Sequence, residues 1–269
     1  MSEPAASDQI QAAEAYEQLH VPALFRQWAP HLVRAAKIEP GDRVLDVACG
    51  TGVLAREAAA RVGPSGAVAG IDLGPGMLAV AERLEPSVEW RQGAAEVLPY
   101  PDGSFDAVVS QFGLMFFADR RQALAEMLRV LVPEGRLAVA VWERLEASEA
   151  YPLEVELLER LAGRPAADAL RAPFVLGDRQ ALAELFEDAG VESVAIETRW
   201  GTARFPSIRT MVEADLRGWL PVMGVVLEEP LIQSILEQAE TVLAEYVDPE
   251  GKVVFDSPAH IVTGRRPPG

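Results

Sequence analysis

The chain has 269 residues, and its 49% apolar content is too high for a disordered protein and sufficient for a substantial core. Its 41 acidic and 24 basic residues give a formal net charge of −17, which disfavours binding to nucleic acids and to anionic membrane surfaces. The single cysteine, Cys49, excludes an internal disulfide, so we expect a reducing, cytoplasmic compartment.

The first predicted elements are helices. Over residues 8–37 apolar side chains recur among polar ones at helical spacing, and Pro22 and Pro30 interrupt the run. The first nine residues contain no basic segment followed by an apolar one, so no signal peptide is predicted. We expect residues 1–40 to form an N-terminal helical lid.

Apolar strand-like segments then alternate with amphipathic helices. The strands are predicted at 43–48, 67–73, 88–93, 105–111 and 136–142, and the helices at 53–62, 75–84 and 119–131. Strands that alternate with helices form a parallel sheet with helices on both faces. We therefore expect an α/β fold whose ligand-binding core spans residues 41–143.

The alternation becomes irregular after Trp142. Helices are predicted at 149–162 and 178–189, strands at 191–200 and 259–266, and a mostly helical stretch over 207–246. The simplest organisation is one domain over residues 1–269. In it, residues 144–269 complete the sheet and residues 203–246 form a helical cap.

The strongest local motif is VLDVACGTG, residues 44–52, at the end of the first predicted strand. Ligands of open parallel sheets bind beyond the carboxyl ends of the strands, and Gly50 and Gly52 let the backbone turn tightly and approach a ligand. The spacing of Gly50, Gly52 and Ala55 also fits the relaxed dinucleotide pattern, so an NAD-dependent oxidoreductase is one alternative.

Asp46 argues against a dinucleotide at this loop. A carboxylate at the end of the strand opposes a pyrophosphate but suits S-adenosylmethionine, which carries an ammonium and a sulfonium and no phosphate. Alternatively, Asp46 caps the backbone amides of its own loop. The two roles are compatible.

Two further strand ends offer polar groups to the same ligand. Asp72, at the end of the second strand, could accept both hydroxyls of a ribose, or it could cap the next helix. Gln111, at the end of the fourth strand, is placed to face the methionine end of the ligand or the methyl acceptor, although strand ends are often polar without such a role.

Residues near the second and third strands are candidates for the adenine site. Leu73 and Met77 could cover the ring, although residues of these types are more often part of the core. Ala95 and Glu96 would lie beside its edge, where backbone amides can donate to a ring nitrogen. Glu96 could also be an ordinary exposed carboxylate.

The motifs VLDVACGTG, GIDLGPGML, GAAEVLPYPDGSFDAVVSQFGLMFF and LRVLVPEGRLAVAVW occur in order over residues 40–143. In this region the chain resembles the class I S-adenosylmethionine-dependent methyltransferases, and within them the ubiquinone/menaquinone-biosynthesis type, which methylates small molecules. The resemblance implies a Rossmann-like seven-stranded sheet, mostly parallel, whose last strand runs antiparallel. It also implies that the loop from Ala48 to Gly52 holds the methionine part, Asp72 the ribose, and residues 94–96 the adenine. The family commonly has an acidic residue where this chain has Ala94, so a side-chain contact to the adenine amino group is absent.

The expected activity is methyl transfer from S-adenosylmethionine to a small apolar or aromatic molecule, with O- or C-methylation favoured. No catalytic residue is assigned, because no general base is evident in the sequence. The acceptor contacts are predicted to include Phe205 and Trp219, since the segment 203–246 is rich in aromatic and aliphatic side chains. Plain helix packing or a dimer interface would explain the same composition. Besides the oxidoreductase, a non-catalytic S-adenosylmethionine-binding protein is the other alternative.

The expected partner is the small-molecule acceptor, with neither nucleic acid nor membrane, and a homodimer is left open. Three histidines and one cysteine are scattered along the chain, so no metal site is predicted. No uncharged apolar run approaches the roughly 18 residues that a membrane span needs.

Overall fold

The computed structural model describes residues 6–268, with side chains from Ser7 onward. The first five residues and Gly269, which belong to the predicted lid and the predicted single domain, lie outside the described residues. The helices are α1 Ala6–His20, α2 Ala29–Ala35, α3 Val53–Val62, α4 Pro75–Leu84, α5 Arg120–Val130, α6 Tyr151–Ala162, α7 Arg164–Arg171, α8 Arg179–Asp188, α9 Ile208–Ala214, α10 Leu220–Val222 and α11 Glu229–Val242. The strands are β1 Arg43–Val47, β2 Ala67–Asp72, β3 Glu89–Gln92, β4 Phe105–Gln111, β5 Leu131–Trp142, β6 Glu192–Arg199, β7 Thr202–Phe205, β8 Val253–Asp256 and β9 Ala259–Arg265.

The described residues divide into two compact units. The first contains residues up to Val141, together with 178–199 and the chain from His260 onward. The second contains residues 142–177 and 200–259. The organisation as one domain with a helical cap over 203–246 stays a prediction.

A seven-stranded sheet has the order β3-β2-β1-β4-β5-β9-β6. The pairs β3–β2, β2–β1, β1–β4 and β4–β5 are parallel. The amides of Glu134 and Arg266 donate to the carbonyls of Arg266 and Gly135, an exchange that antiparallel neighbours make, so β9 runs against β5. The predicted mostly parallel Rossmann-like sheet is therefore confirmed. Strand order reverses on either side of β1, which marks the ligand-binding edge.

The central strands are apolar because helices cover both of their faces. Val44, Leu45 and Val47 of β1 are completely buried. Capping residues mark the helix boundaries. Gly63, with φ 65°, follows the end of α3. Asp119 caps the start of α5 by accepting a hydrogen bond from the Gln122 amide at 2.9 Å. β5 begins at Leu131, five residues before the predicted strand at 136–142, because it continues directly from α5.

The N-terminal segment is helical as predicted, with its regular hydrogen bonding interrupted near the prolines. A π-helical turn spans Val21–Phe25 and contains Pro22, and α2 carries Pro30 in its first turn. Among the described residues, no helix combines the length and the apolar character needed to cross a bilayer.

The second unit corrects the predicted helical cap at its start. Residues 203–205 lie in β7, which pairs antiparallel with β8, with Ala203 opposite Phe255 and Phe205 opposite Val253. Ala203 and Phe205 are buried while Arg204 between them is exposed, the alternation of a half-buried strand. The remainder of the segment contains α9, a π-helical turn at Asp215–Trp219, α10 and α11. Helix α7 was not predicted.

Candidate active site

The loop after β1 turns through three residues with positive φ: Ala48 at 57°, Gly50 at 55° and Gly52 at 86°. A Cβ on Gly52 would lie 2.5 Å from the indole of Trp90, so both the backbone conformation and the packing require glycine there. A Cβ on Gly50 would meet nothing within 4 Å. The loop is thus packed tightly on its Trp90 side, and Gly50 borders open space into which a ligand can approach.

A small cavity of about 30 Å³ lies against this loop. Its wall includes Tyr16, Asp46, Ala48, Gly50, Thr51 and Gln111. Four of the residues predicted to bind the cofactor therefore meet at one cavity: Asp46, Ala48, Gly50 and Gln111.

Asp46 is the unusual group in that wall. Its side chain is fully buried, and neither carboxylate oxygen forms a hydrogen bond in the described chain. Burial raises the pKa of Asp46 well above its usual range, and the charge of Asp72 adds to this, whereas the backbone amide of Ala55 opposes it. The Ala55 amide belongs to α3, and among the described residues no loop amide makes a hydrogen bond to Asp46, so its alternative role as a cap of the loop stays a prediction. A buried carboxylate whose oxygens form no hydrogen bond is costly, so Asp46 fits a site that receives a cation.

Asp72 ties the loop to the end of β2. One carboxylate oxygen accepts the Gly50 amide at 2.8 Å, and the other accepts the Gly74 amide at 2.8 Å. Burial raises the pKa of Asp72, and these amides act against the shift. A carboxylate has about four acceptor positions, so both oxygens can still receive hydroxyl donors.

The predicted adenine residues surround the ends of β2 and β3. Leu73 is 66% exposed, Met77 is half-buried, and Ala95 is buried. One Glu96 carboxylate oxygen accepts the amides of Ala118 and Asp119 at 2.9 and 3.3 Å. The Glu96 side chain therefore holds the start of α5, while the exposed Leu73 leaves an apolar surface beside Asp72.

Gln111 joins the cavity to the N-terminal segment. Its side-chain Nε2 donates to the Phe25 carbonyl at 3.1 Å, while its Oε1 has no hydrogen-bond partner in the described chain. The buried Oε1 is an acceptor available to a ligand in the cavity.

Tyr16 and Glu17 of α1 were not predicted as site residues. Tyr16 borders the cavity, and Glu17 accepts hydrogen bonds from Thr51 and Arg56 next to the glycine loop. The helical periodicity marked Tyr16 only as one apolar position among many. No local signal shows which loop a helix residue meets 34 positions later.

Cys49 also borders the cavity, but its chemistry is not that of a nucleophile. The thiol is buried, and burial together with Asp46 and Asp72 raises its pKa well above the usual range. A thiol that stays protonated is a poor nucleophile. Cys49 serves as a small residue inside a tight loop.

The two predicted acceptor contacts belong to the second unit. Phe205 is buried and stacks on Phe255, with ring centroids 6.5 Å apart. The Trp219 indole donates to the Ala169 carbonyl at 2.8 Å. Their assignment to acceptor binding stays a prediction.

The second unit also buries two interacting carboxyl groups, Glu154 of α6 and Asp215 of the π-helical turn. Burial raises the pKa of Glu154 well above its usual range and that of Asp215 to about 7, and Tyr151 lies near both. The nearby charge of Asp215 adds to the upward shift of the Glu154 pKa. This pair was not predicted from the sequence.

The comparisons with known proteins identify the family. A model described as "Methyltransferase domain" matches residues 45–139. The ubiquinone/menaquinone biosynthesis C-methyltransferase UbiE of Ectopseudomonas mendocina is 35% identical over 197 residues, which cover 66% of this chain and 76% of the relative. The demethylmenaquinone methyltransferase of Renibacterium salmoninarum is 45% identical over 115 residues, which cover 43% of this chain and 47% of the relative.

Solved structures support the fold. The YcgJ protein of Bacillus subtilis matches with a TM-score of 0.58 and 22% identity, over 90% of this chain and 99% of that one. A phosphoethanolamine N-methyltransferase 2 from Haemonchus contortus, solved with S-adenosylhomocysteine, matches with a TM-score of 0.60 and 18% identity, over 96% of this chain and 57% of that one. The family matches make S-adenosylmethionine the cofactor of this protein, and the oxidoreductase alternative is wrong. The chain belongs to the class I S-adenosylmethionine-dependent methyltransferases, in the family that includes the ubiquinone/menaquinone-biosynthesis C-methyltransferases.

Proposed function

We propose that this methyltransferase methylates a small apolar or aromatic molecule, at carbon or oxygen, and that its cofactor is held by the residues around the cavity at β1. The observation that carries the binding mode is the fully buried Asp46 carboxylate, whose oxygens have no hydrogen-bond partner in the described chain. An ammonium group placed there would neutralise the charge and satisfy the oxygens.

Each remaining site residue has a role that follows from its position. Gly50 lets the backbone approach the methionine part, and Ala48 and Gly52 shape the turn. Asp72 accepts ribose hydroxyls while it keeps the loop closed through the Gly50 amide.

The remaining predicted residues serve the two ends of the cofactor. Leu73 and Met77 cover the adenine, and the backbone amides of Ala95 and Glu96 lie at its edge. The Glu96 side chain fixes the adjacent chain. Gln111 offers its Oε1 to the methionine end or to the acceptor.

S-adenosylmethionine supplies a methyl group that its sulfonium already activates. The protein's contribution is then to orient the acceptor and to exclude water, and orientation of this kind is worth on the order of 7–11 kcal/mol. No catalytic base is assigned. This arrangement suits a ring carbon or phenol oxygen whose proton is already acidic.

The substrate class rests on two supports. The relatives with 35% identity over most of their length are named C-methyltransferases of ubiquinone and menaquinone biosynthesis. The segment 203–246 is rich in aromatic and aliphatic residues, and Phe205 and Trp219 are retained from it as predicted acceptor contacts.

We further propose that the reaction takes place in the cytoplasm and that the acidic chain binds no nucleic acid. A homodimer is left open, and a mass measurement in solution would decide it.

The test begins with calorimetry. S-adenosylhomocysteine should bind the protein, and NADH should not. Incubation with S-adenosylmethionine and a panel of quinols, phenols and alkyl amines should then give a methylated quinol or phenol detected by mass spectrometry. Methylation of the amines alone would overturn the substrate class, whereas binding without any turnover would favour the non-catalytic alternative.

A further inference from the structure

The second unit buries a polar cluster whose hydrogen bonds are incomplete. Glu154 is completely buried, and Asp215 is only 7% exposed. Both carboxylate oxygens of Glu154 and the Oδ2 of Asp215 form no hydrogen bond with a donor of the described chain. A proton shared by the two carboxyl groups satisfies at most one oxygen of each, so at least one of these three positions is left for an added donor.

Tyr151 brings a hydroxyl to the same cluster. It precedes Glu154 by three residues on α6, so the two side chains lie on one face of the helix. Tyr151 is 7% exposed, and its hydroxyl forms no hydrogen bond within the described residues. Burial raises the pKa of Tyr151 well above its usual range, and the charges of Asp215 and Glu154 add to this. The phenol therefore keeps its proton and can donate it in a hydrogen bond to a ligand.

The backbone that carries Asp215 is irregular. Asp215 begins the π-helical turn Asp215–Trp219, which separates α9 from α10. Turns of this kind are rare and are found frequently at functional sites. Trp219 at the end of the turn donates its indole N–H to the Ala169 carbonyl of α7 at 2.8 Å. The inward position of Asp215 is thus held by the packing of the turn and not by a partner for its Oδ2.

Aromatic rings surround the polar cluster. The ring centroid of Tyr151 lies 5.6 Å from that of Phe174 and 5.4 Å from that of Phe255. Phe205, one of the two predicted acceptor contacts, stacks on Phe255. Sites for small molecules combine a mostly apolar and aromatic lining with a few polar groups that fix the orientation of the ligand. This part of the second unit therefore has the composition of a site for an aromatic molecule that carries a hydroxyl group.

We propose that Asp215, Glu154 and Tyr151 bind the hydroxyl group of the methyl acceptor, and that Asp215 accepts its proton. The proposal rests on the proposed function and names the polar group of the acceptor that the second unit recognises. Asp215 and Tyr151 are slightly exposed and Glu154 is not, so a ligand meets Asp215 and Tyr151 first. Glu154 acts behind them as a positioning residue.

The proton transfer makes the acceptor reactive. The O–H bond of the acceptor breaks, the proton moves to the Asp215 carboxylate, and the electron pair stays on the oxygen. The acceptor then takes the methyl group, and the bonding pair of that group remains on the departing sulfur. With an oxygen acceptor, Asp215 later releases its proton to solvent. With a ring-carbon acceptor, the ring proton leaves last and Asp215 returns its proton to the oxygen.

Asp215 is the group of this cluster that can change its protonation state near neutral pH. Burial raises its pKa to about 7, and a hydrogen bond with Glu154 opposes the shift. Apart from Glu154, the charged side chains on the turn and on the helices packed against it are at least partly exposed: Glu156, Glu159 and Arg160 of α6, Arg164, Asp168 and Arg171 of α7, Arg209 and Glu213 of α9, and Arg217. Helix α10 contains no charged residue.

The test compares two ligands that share one ring system, para-naphthoquinol and its dimethyl ether. Both are titrated without oxygen into the protein saturated with S-adenosylhomocysteine. At pH 8 the unmodified protein should bind the quinol about tenfold more tightly than the ether, because only the quinol donates to the carboxylate. Asp215→Asn should lose most of this preference and Tyr151→Phe part of it. Glu213→Gln and Glu156→Gln remove partly exposed carboxylates from the adjoining helices and should keep it.

The pH dependence identifies the group that takes the proton. Asp215 is protonated at pH 5 and ionised at pH 8, so affinity for the quinol should rise about tenfold between them while that for the ether stays constant. At saturating S-adenosylmethionine, kcat for methylation of the quinol should rise over the same window. Asp215→Asn should flatten this profile and lower kcat about a hundredfold at pH 8.

Equal affinities of the unmodified protein for the quinol and the ether, or no binding of either, would overturn the proposal even if every variant failed to fold. A preference for the quinol that survives in Asp215→Asn would overturn it as well. Loss of S-adenosylhomocysteine affinity in Asp215→Asn would show that the pair only supports the fold. Failure of the unmodified protein to bind S-adenosylhomocysteine would instead contradict the proposed cofactor site.

Discussion

The amide of Gly50 donates a hydrogen bond of 2.8 Å to the carboxylate of Asp72, and this bond links the loop after β1 to the end of β2. The other oxygen of Asp72 accepts the Gly74 amide at the start of α4. One side chain thus fixes two segments of the site before any ligand binds. Binding and stability are therefore coupled at Asp72.

The first prediction concerns this coupling. Asp72→Ala removes two charge-assisted bonds and should lower the free energy of unfolding by about 1–3 kcal/mol. It should also weaken S-adenosylhomocysteine binding by a comparable amount, because the ribose loses its acceptor and the loop its anchor. Urea denaturation and calorimetry measure the two effects.

Asp119→Ala is the control for Asp72→Ala. It removes the carboxylate that caps α5 through the Gln122 amide, away from the cavity, and should cost about 1 kcal/mol of stability. Its affinity for the ligand should not change. Equal affinities for the Asp72 and Asp119 variants would show that Asp72 only caps its helix.

The second prediction concerns the pH dependence of cofactor binding. Burial raises the pKa of Asp46 in the free protein, and a bound ammonium lowers it again because it favours the carboxylate. At pH values below the pKa of Asp46 in the free protein, cofactor binding should therefore release a proton from Asp46. Affinity should fall with decreasing pH, by up to roughly tenfold per unit, and level off above that pKa.

Calorimetry in buffers of different ionisation enthalpy measures the released proton. Asp46→Asn should bind weakly with little pH dependence, and it should stabilise the free protein at high pH, where the native carboxylate is ionised without a partner. Asp106→Asn is the control, because the Arg43 guanidinium lowers the pKa of Asp106 far from the cavity. A pH dependence that survives in Asp46→Asn would assign the proton to another group.

The residues of this site that could be predicted from the sequence are those whose positions follow from the order of the strands. Asp46, Gly50 and Asp72 could be grouped because parallel strands end at the same edge of a sheet. The same rule placed Gln111 at the cavity. These residues need only the strand order, which the alternating pattern supplies.

The contacts that were missed depend on tertiary packing. Glu17 meets Thr51 because α1 lies across the loop, and the pairing of β7 with β8 joins segments about fifty residues apart. Apolar periodicity indicates that a helix has a buried face but not which surface covers it. The side chain of Glu96 was likewise unpredictable, because its partners are amides at the start of a later helix.

The third prediction distinguishes the two glycines of the loop. Gly52→Ala should destabilise the protein more than Gly50→Ala, because its Cβ would lie 2.5 Å from the Trp90 indole, whereas a Cβ on Gly50 meets no atom within 4 Å. Both substitutions also carry the cost of a positive φ, about 1 kcal/mol. Gly50→Ala should instead reduce cofactor affinity, because its Cβ occupies the space through which the ligand approaches.

Thermal unfolding and calorimetry on the two variants provide the comparison. Gly103→Ala is a suitable reference, since Gly103 also has a positive φ of 65° and open space around it. Gly50→Ala and Gly103→Ala should show similar stability losses, and only the former should lose affinity. If Gly50→Ala binds S-adenosylhomocysteine as the unmodified protein does, no ligand approaches that side of the loop.

The fourth prediction concerns the buried pair of Glu154 and Asp215 in the second unit. The pKa of Asp215 is about 7 in the folded protein, above the usual value for an aspartate, because the group is buried. Between the unfolded and folded pKa values, the folded state binds more protons than the unfolded state. Stability therefore decreases as pH rises through this window, from roughly pH 4 to 7, and the loss is complete above it.

Urea denaturation of the unmodified protein and of Asp215→Asn at pH 5 and pH 8 measures this effect. The asparagine keeps the shape and cannot ionise, so the variant should lose less stability between the two pH values, by about 1–3 kcal/mol. Glu213→Gln, an exposed neighbour paired with Arg217, is the control and should follow the unmodified protein. Asp46 is also buried with a raised pKa, so it contributes to the total dependence of stability on pH. The contribution of Asp215 is therefore given by the difference between the variant and the unmodified protein. Equal slopes for Asp215→Asn and the unmodified protein would mean that Asp215 is already ionised in the folded state over this whole range, as it is in the unfolded state, and would contradict its raised pKa.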